Sequence, residues 1–257
     1  MVFFHNAGND HRIWDAQVAH FSKSHEVFIV DSLGYGQSDK PGIEYTFTLY
    51  SDMVAAFIEE TGIKNPVIVG HCIGSAMAFQ YAVQNPENVK ALILFNIATL
   101  SGLRQGIYGI YYRMTRNRHF NRWVSKVLDY FILPRWKTTL EIKKQYGETG
   151  DYDSRFTAYL LTLYKHPRQL KNLANLVMNF NSFAFPDHFS KPGDFPPVFL
   201  IWGEQNMILP LNAGVDFCEY VMPERFESIA DCGHLVMREK PEMVNDMMAL
   251  FIKKQSG

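Results

Sequence analysis

Short apolar runs alternate with amphipathic stretches along most of the chain. The runs over 2–4, 27–30, 66–69, 89–95, 197–201 and 226–229 predict strands, and helical spacing predicts helices over 14–21, 46–61, 72–83 and 241–254. Most of these strand runs are apolar at nearly every position, which is typical of strands buried on both faces. The pattern therefore predicts an α/β fold with a mostly parallel sheet covered by helices.

One long stretch interrupts this alternation. Residues 97–191 contain helical segments but no convincing strand, and Pro134, Pro167 and Pro186 punctuate them. A helical insertion between two strands of a parallel sheet behaves as a cap. We therefore predict a core formed by residues 1–96 and 192–257, with residues 97–191 as a helical cap (lid) inserted between two core strands.

Composition narrows the classes of function. Apolar residues make up 47% of the 257 and charged residues 20%, and the net charge is −1, which gives no reason to expect a nucleic-acid partner. The three cysteines, Cys72, Cys218 and Cys232, lack disulfide or zinc-site spacing, so we expect a reducing, cytoplasmic setting and neither metal nor cofactor. The first residues already form a predicted strand and lack the pattern of a signal peptide.

Residues 66–74 are predicted to run from a strand through a sharp turn into a helix. The turn has the form G-x-C-x-G, with Gly70, Cys72 and Gly74. Such a turn lifts the central side chain above the sheet edge and requires very small neighbours. The N-terminus of the next helix would lower the thiol pKa, and the Ile73 N–H could stabilise an oxyanion.

Five motifs in order give the chain a wider resemblance. They are His5-Asn6-Ala7-Gly8, the loop 31–41 of form D-x-x-G-x-G-x-S, the turn 70–74, the strand end 201–206, and Asp231-Cys232-Gly233-His234. In this the chain resembles the α/β-hydrolase superfamily over nearly its whole length. The resemblance implies Cys72 as nucleophile, His234 as general base, and an oxyanion hole made by Ile73 with the Asn6–Ala7 turn. The resemblance implies that the first two strands of the family fold are missing, which would expose a sheet edge that a homodimer could cover.

The position of the family's acid holds Asn206 instead of a carboxylate. A thiol is far more acidic than a hydroxyl, so a thiolate–imidazolium pair needs a counter-charge less. An asparagine carbonyl could accept the Nδ1–H bond, as in Cys-His-Asn proteases on an unrelated fold. Asn206 ranks first as orienter of His234, followed by Asn96 and then Glu204. For Asn6, we expect tolerance of a positive φ.

The first part of the cap is basic and aromatic. Only Asp129 opposes eight basic residues between 101 and 137, which are Arg104, Arg113, Arg116, Arg118, Arg122, Lys126, Arg135 and Lys137. This pattern suits a lid over an apolar acyl pocket whose mouth attracts anions. Such an anion could be coenzyme A, an acyl carrier protein or a membrane surface; an ordinary solvated basic face is the alternative.

These features favour acyl transfer through an S-acyl-Cys72 intermediate. A thioester is the preferred small acyl substrate because thiol attack on it is nearly isoenergetic and has a good leaving group. Thioesterase, acyltransferase and cyclase reactions all remain open. One alternative is an esterase or lactonase with a Cys-His-Asn triad, and another is a non-catalytic ligand-binding member of the fold.

Overall fold

A computed structural model describes residues 1–110, 113, 134–148 and 153–255. Within these ranges six strands form one parallel sheet in the order β2-β1-β3-β4-β5-β6. The strands are β1 (Val2–Phe4), β2 (Phe28–Val30), β3 (Val67–His71), β4 (Ala91–Phe95), β5 (Val198–Gly203) and β6 (Arg225–Ile229). The predicted α/β class and mostly parallel sheet are therefore confirmed.

Ten α-helices lie in the described part of the chain. They are α1 (Asp15–Phe21), α2 (Phe47–Thr61), α3 (Ile73–Gln84), α4 (Leu100–Gln105), α5 (Arg135–Lys143), α6 (Ser154–Leu163), α7 (Pro167–Met178), α8 (Leu211–Val221), α9 (Val236–Glu239) and α10 (Pro241–Lys254). Segments of 3-10 helix cover His11–Trp14, Pro86–Asn88 and Phe180–His188. None of the described helices has the length and apolarity needed to cross a membrane.

The central strands separate two hydrophobic clusters. Alternate residues of β3 and β4 point to opposite faces, so Ile68 and Leu92 join one cluster while Val69 and Ile93 join the other. Helices α2, α3 and α8 cover the first face, and α1 and α10 cover the second. Burial on both faces explains why these strands are apolar throughout rather than alternating.

The described residues between β4 and β5 contain helices and no strand, as the sequence predicts. Buried side chains of α4 and of the 3-10 segment at 180–188 join the first cluster. Those of α5 and α6 join the second cluster, to which Trp14 and Phe251 also belong. The insertion thus packs against both sides of the core. The boundaries predicted for the cap stay a prediction. Four of the eight basic residues named above, Arg116, Arg118, Arg122 and Lys126, fall in 114–133, outside the described residues.

Strand β2 forms one edge of the described sheet. It pairs with β1 alone in the described part of the chain, and its central residue, Ile29, is 38% exposed. An exposed edge strand can accept another strand. The predicted homodimer stays a prediction.

The sharp turn between β3 and α3 packs directly against the end of β1. A methyl group added at Gly74 would lie 2.3 Å from the Phe4 carbonyl oxygen and 2.7 Å from that of His5. We expect Gly74→Ala to lower the free energy of unfolding by at least about 2 kcal/mol, because backbone must move to admit the methyl group.

Urea denaturation would measure this loss. The control is Gly193→Ala, whose added methyl group meets nothing within 4 Å and should change stability by less than about 1 kcal/mol. Equal stability of the two variants would contradict the packing described here.

Candidate active site

Cys72 occupies the strained turn between β3 and α3. Its backbone has φ 54° and ψ −111°, a conformation that costs a non-glycine residue about 1–3 kcal/mol. Backbone hydrogen bonds hold it there: its N–H donates to the Phe95 carbonyl at 2.9 Å, and its carbonyl accepts from Ala98 at 3.1 Å. A methyl group at Gly70 would lie 2.5 Å from the Gly74 backbone, so both glycines meet the steric demand predicted for the turn.

Two backbone N–H groups are directed at the Cys72 sulfur. They belong to Ile73, at the start of α3, and Ala7, in the turn after β1, and each stabilises the thiolate by hydrogen bonding. Burial outweighs them and raises the pKa of the Cys72 thiol to about 12. The predicted lowering of this pKa is therefore wrong, because the thiol is only 6% exposed.

His234 lies in the loop between β6 and α9, and its backbone is firmly held. Its N–H donates to the Gln145 carbonyl at 2.7 Å, and its own carbonyl accepts from Asn96 Nδ2 at 2.9 Å. The ring contacts that of His71 in a tilted arrangement, with centroids 4.4 Å apart and an interplanar angle of 48°. Burial lowers the pKa of His234 to about 3, so the imidazole is neutral at pH 7. The predicted thiolate–imidazolium pair is thus wrong for the resting protein, since burial disfavours both charges.

Asn206 does not offer its carbonyl to His234. Its Oδ1 accepts the N–H groups of Ile208 and Leu209, each at 3.0 Å. Those two donors fix which end of the amide is oxygen, leaving Nδ2 buried with no acceptor among the described residues. The Nδ1 atom of His234 is likewise buried without a partner in the described part of the chain. The hydrogen bond expected between them is absent there, and a role for Asn206 in catalysis stays a prediction.

The two alternative orienters do not contact the imidazole ring through a hydrogen bond in the described chain. Asn96, with φ 43°, follows β4 and uses its amide to join the His234 carbonyl to the Gly203 N–H. Glu204 is exposed and accepts a hydrogen bond from Ser228 at 2.8 Å, beside the sheet. Asn96 therefore positions the His234 loop by binding the backbone of that loop, whereas the Glu204 side chain binds Ser228.

The turn after β1 presents Ala7 to the thiol. Asn6 is buried, and its Oδ1 accepts from Asn9 Nδ2 at 2.7 Å. Asn6, predicted to tolerate a positive φ, does not adopt one; in this turn the positive φ, 84°, is at Gly8. His5 anchors the turn: its Nδ1–H donates to the Asn6 carbonyl at 2.7 Å, and its Nε2 accepts from the Ser32 N–H at 2.9 Å.

Two further residues join the cap to the site, and the sequence patterns did not single them out. Buried Gln145, just after α5, accepts from Asn9 Nδ2 through Oε1 at 3.2 Å and from His234 through its backbone. Buried Glu239 accepts the N–H groups of Gly147 and Gly233 at 2.8 and 2.9 Å. Gln145 has no sequence signal, because polar residues in a cap follow no period. A glutamate five residues after His234 is not distinctive either.

Other reactive groups have weaker claims to chemistry. Cys218 lies on α8 and packs against the first core cluster, and Cys232 is fully buried. Asp10, His11 and Asp31 cluster closely, but their carboxylates already accept hydrogen bonds from protein groups, including the Tyr159 hydroxyl on Asp10. A cavity of about 620 Å³ between α4 and α8 is lined by none of the predicted site residues.

Comparison with known proteins agrees with this geometry. A family model described as the alpha/beta hydrolase fold matches residues 1–121. Epoxide hydrolase 1 of Caenorhabditis elegans is 25% identical over 269 residues, covering 99% of this chain, which spans 65% of that protein's length. A 2-hydroxy-6-oxononadienedioate/2-hydroxy-6-oxononatrienedioate hydrolase of Pseudomonas sp is 23% identical over 273 residues, covering 99% of this chain and 88% of that protein.

Solved structures extend the likeness to the whole fold. A thermophilic esterase from Thermogutta terrifontis superposes with a TM-score of 0.79 at 19% identity, covering 99% of this chain and 89% of the esterase. At that identity the likeness concerns the fold. Together with the parallel sheet and the strained turn at Cys72, it shows that this chain has the α/β-hydrolase fold.

Proposed function

We propose that this protein is an acyl-transfer enzyme that forms an S-acyl intermediate on Cys72. The observation that carries the proposal is the direction of the Ile73 and Ala7 N–H groups toward the Cys72 sulfur. A carbonyl carbon bonded to that sulfur would hold its oxygen close to both donors. Two fixed donors in a buried site are what stabilises the oxyanion of acyl transfer.

In the resting protein Cys72 is a protonated thiol and His234 is a neutral imidazole. This favours thiol attack assisted by His234 as general base over attack by a preformed thiolate. As the sulfur bonds to the carbonyl carbon, neutral His234 accepts the thiol proton and the C=O electron pair moves to oxygen. When the carbonyl re-forms, the bond to the leaving group breaks, and His234 returns the proton to that group. Water, an alcohol or an amine then releases the acyl group by the same steps.

A thioester is the substrate class best matched to this nucleophile. The C–S bond that forms and the C–S bond that breaks both belong to thioesters, so acylation is nearly isoenergetic. Esters and lactones have poorer leaving groups and form the alternative, supported by the esterase among the structural neighbours. Epoxide opening by Cys72 would give a thioether with no carbonyl for water to attack, so the name of the C. elegans relative does not carry over.

The cap suits an anionic carrier of the acyl group. Arg104, Arg135 and Lys137 belong to its described part, and the remaining basic residues of 101–137 add to the same charge. Coenzyme A and an acyl carrier protein both bring phosphate or carboxylate charge to such a surface. If the basic surface binds the carrier, the reaction rate should depend on the carrier and fall as the salt concentration rises. A basic surface that is only solvated would show neither effect.

A second candidate, a non-catalytic ligand-binding protein, is favoured by one observation. A general base must accept protons at Nε2, so its Nδ1 must carry a hydrogen, yet Nδ1 of His234 has no partner in the described chain to hold that tautomer. The first experiment below separates the two candidates.

The first experiment is intact-protein mass after incubation with a panel of acyl-N-acetylcysteamine thioesters. We expect an acyl adduct on the wild type and none on Cys72→Ala, because Cys72 is the nucleophile. Cys218→Ala, which removes a half-buried thiol on α8, should keep the adduct. A wild type that forms no adduct with any thioester, ester or lactone would support the ligand-binding candidate.

The second prediction concerns pH. The pKa of His234, about 3, and that of Cys72, about 12, bracket the neutral range, so both groups keep their working forms across it. We expect kcat/KM for acylation to be flat from about pH 5 to 9 and to fall only at more acid pH, where His234 becomes protonated. A rising limb with an apparent pKa between about 6 and 8 would instead indicate a resting ion pair.

The third prediction concerns Asn206→Asp. The carboxylate would keep accepting the Ile208 and Leu209 N–H groups and would replace the Nδ2 donor by a charged acceptor. We expect the pKa of His234 to rise by about 1–3, because a nearby negative charge favours the imidazolium. NMR titration of the ring would measure it, with exposed Asn88→Asp as control. An unchanged pKa would mean that Asn206 does not act on the ring.

A further inference from the structure

A tyrosine of the cap reaches the turn that carries the predicted oxyanion donor. Tyr164 lies between α6 and α7, and a methyl group added at Gly8 would lie 2.3 Å from its hydroxyl oxygen. Gly8 directly follows Ala7, whose N–H is directed at the Cys72 sulfur. The phenol therefore lies against the residue adjoining one of the two oxyanion donors.

The position of this phenol is fixed from both sides. Gln169, buried on α7, donates its Nε2–H to the Gly8 carbonyl at 2.9 Å, which ties the start of α7 to the same turn. Gly8 has φ 84°, so the absence of a side chain serves both the backbone conformation and the approach of the ring. The cap cannot shift relative to this turn without breaking these contacts.

The hydroxyl is available to a ligand. Among the described residues its hydroxyl takes part in no hydrogen bond, and the side chain is partly exposed although it packs against the second core cluster. Burial and the nearby Glu141 charge raise the pKa of Tyr164, so the phenol stays protonated and can donate.

We propose that Tyr164 is a further catalytic residue, donating its phenolic O–H to the substrate oxygen that becomes negative when Cys72 attacks. The cap thereby contributes a third donor beside the Ile73 and Ala7 N–H groups. The proton stays on the phenol, while His234 still carries the thiol proton to the leaving group. This inference rests on the proposed acyl-transfer function.

The test compares acylation rates of a thioester and of the matching dithioester, in which sulfur replaces the carbonyl oxygen. Sulfur is a weak hydrogen-bond acceptor, so only the oxygen substrate gains fully from the phenol. We expect Tyr164→Phe to slow acylation by the thioester about 100-fold, a typical loss for one oxyanion donor, and to slow the dithioester reaction far less. The ratio of the two rates should therefore fall.

The matched control is Tyr81→Phe, which removes a phenol nine residues along α3 from Cys72, about 13 Å away. It should leave both rates unchanged, and thermal melting should show both variants folded. Thioester rates within about twofold of wild type, or equal losses on both substrates, would overturn the role of Tyr164. Absence of any wild-type adduct would instead overturn the acyl-transfer function itself.

Discussion

The close packing of the β3–α3 turn against the end of β1 is the constraint on which the site depends. Gly74 lies so near the carbonyls of Phe4 and His5 that no side chain fits between them. This contact brings the helix start that carries Ile73 beside the turn that carries Ala7. The sulfur of Cys72 therefore meets two N–H donors from segments more than sixty residues apart in the sequence.

The segment inserted between β4 and β5 takes part in this arrangement. Gln145 and Glu239 join the segment after α5 to the histidine loop, and Gln169 joins α7 to Gly8. These side chains are buried, so each broken hydrogen bond would leave an unsatisfied polar group at a cost of about 1–3 kcal/mol. The positions of His234 and of the turn after β1 thus depend on residues outside the sheet.

Much of the fold could be predicted because its signals are local and periodic. The closing helix has the predicted bounds, 241–254, and the strands at 67–71 and 91–95 lie within about two residues of their apolar runs. The pair of glycines around Cys72 predicted the sharp turn for a steric reason that the structure confirms. Such features depend on residues that are close together in the sequence, so one sequence is enough to predict them.

The electrostatics of the site could not be predicted in the same way. A helix start beside a thiol suggests a lowered pKa, but the pKa of Cys72 follows its nearly complete burial, which is a property of the whole fold. The orientation of the Asn206 amide likewise depends on two backbone donors in the next turn. The sequence has no signal for Tyr164, because only the folded chain brings this residue to Gly8.

The central claim is that an oxygen on an acyl group bound to Cys72 lies between the Ile73 and Ala7 N–H groups. A crystal structure of the protein with a trifluoromethyl ketone analogue of an acyl thioester tests it directly. We predict a tetrahedral adduct on the Cys72 sulfur whose oxygen lies about 2.7–3.1 Å from both nitrogens. An unmodified sulfur, or an adduct oxygen turned away from both donors, would contradict the account.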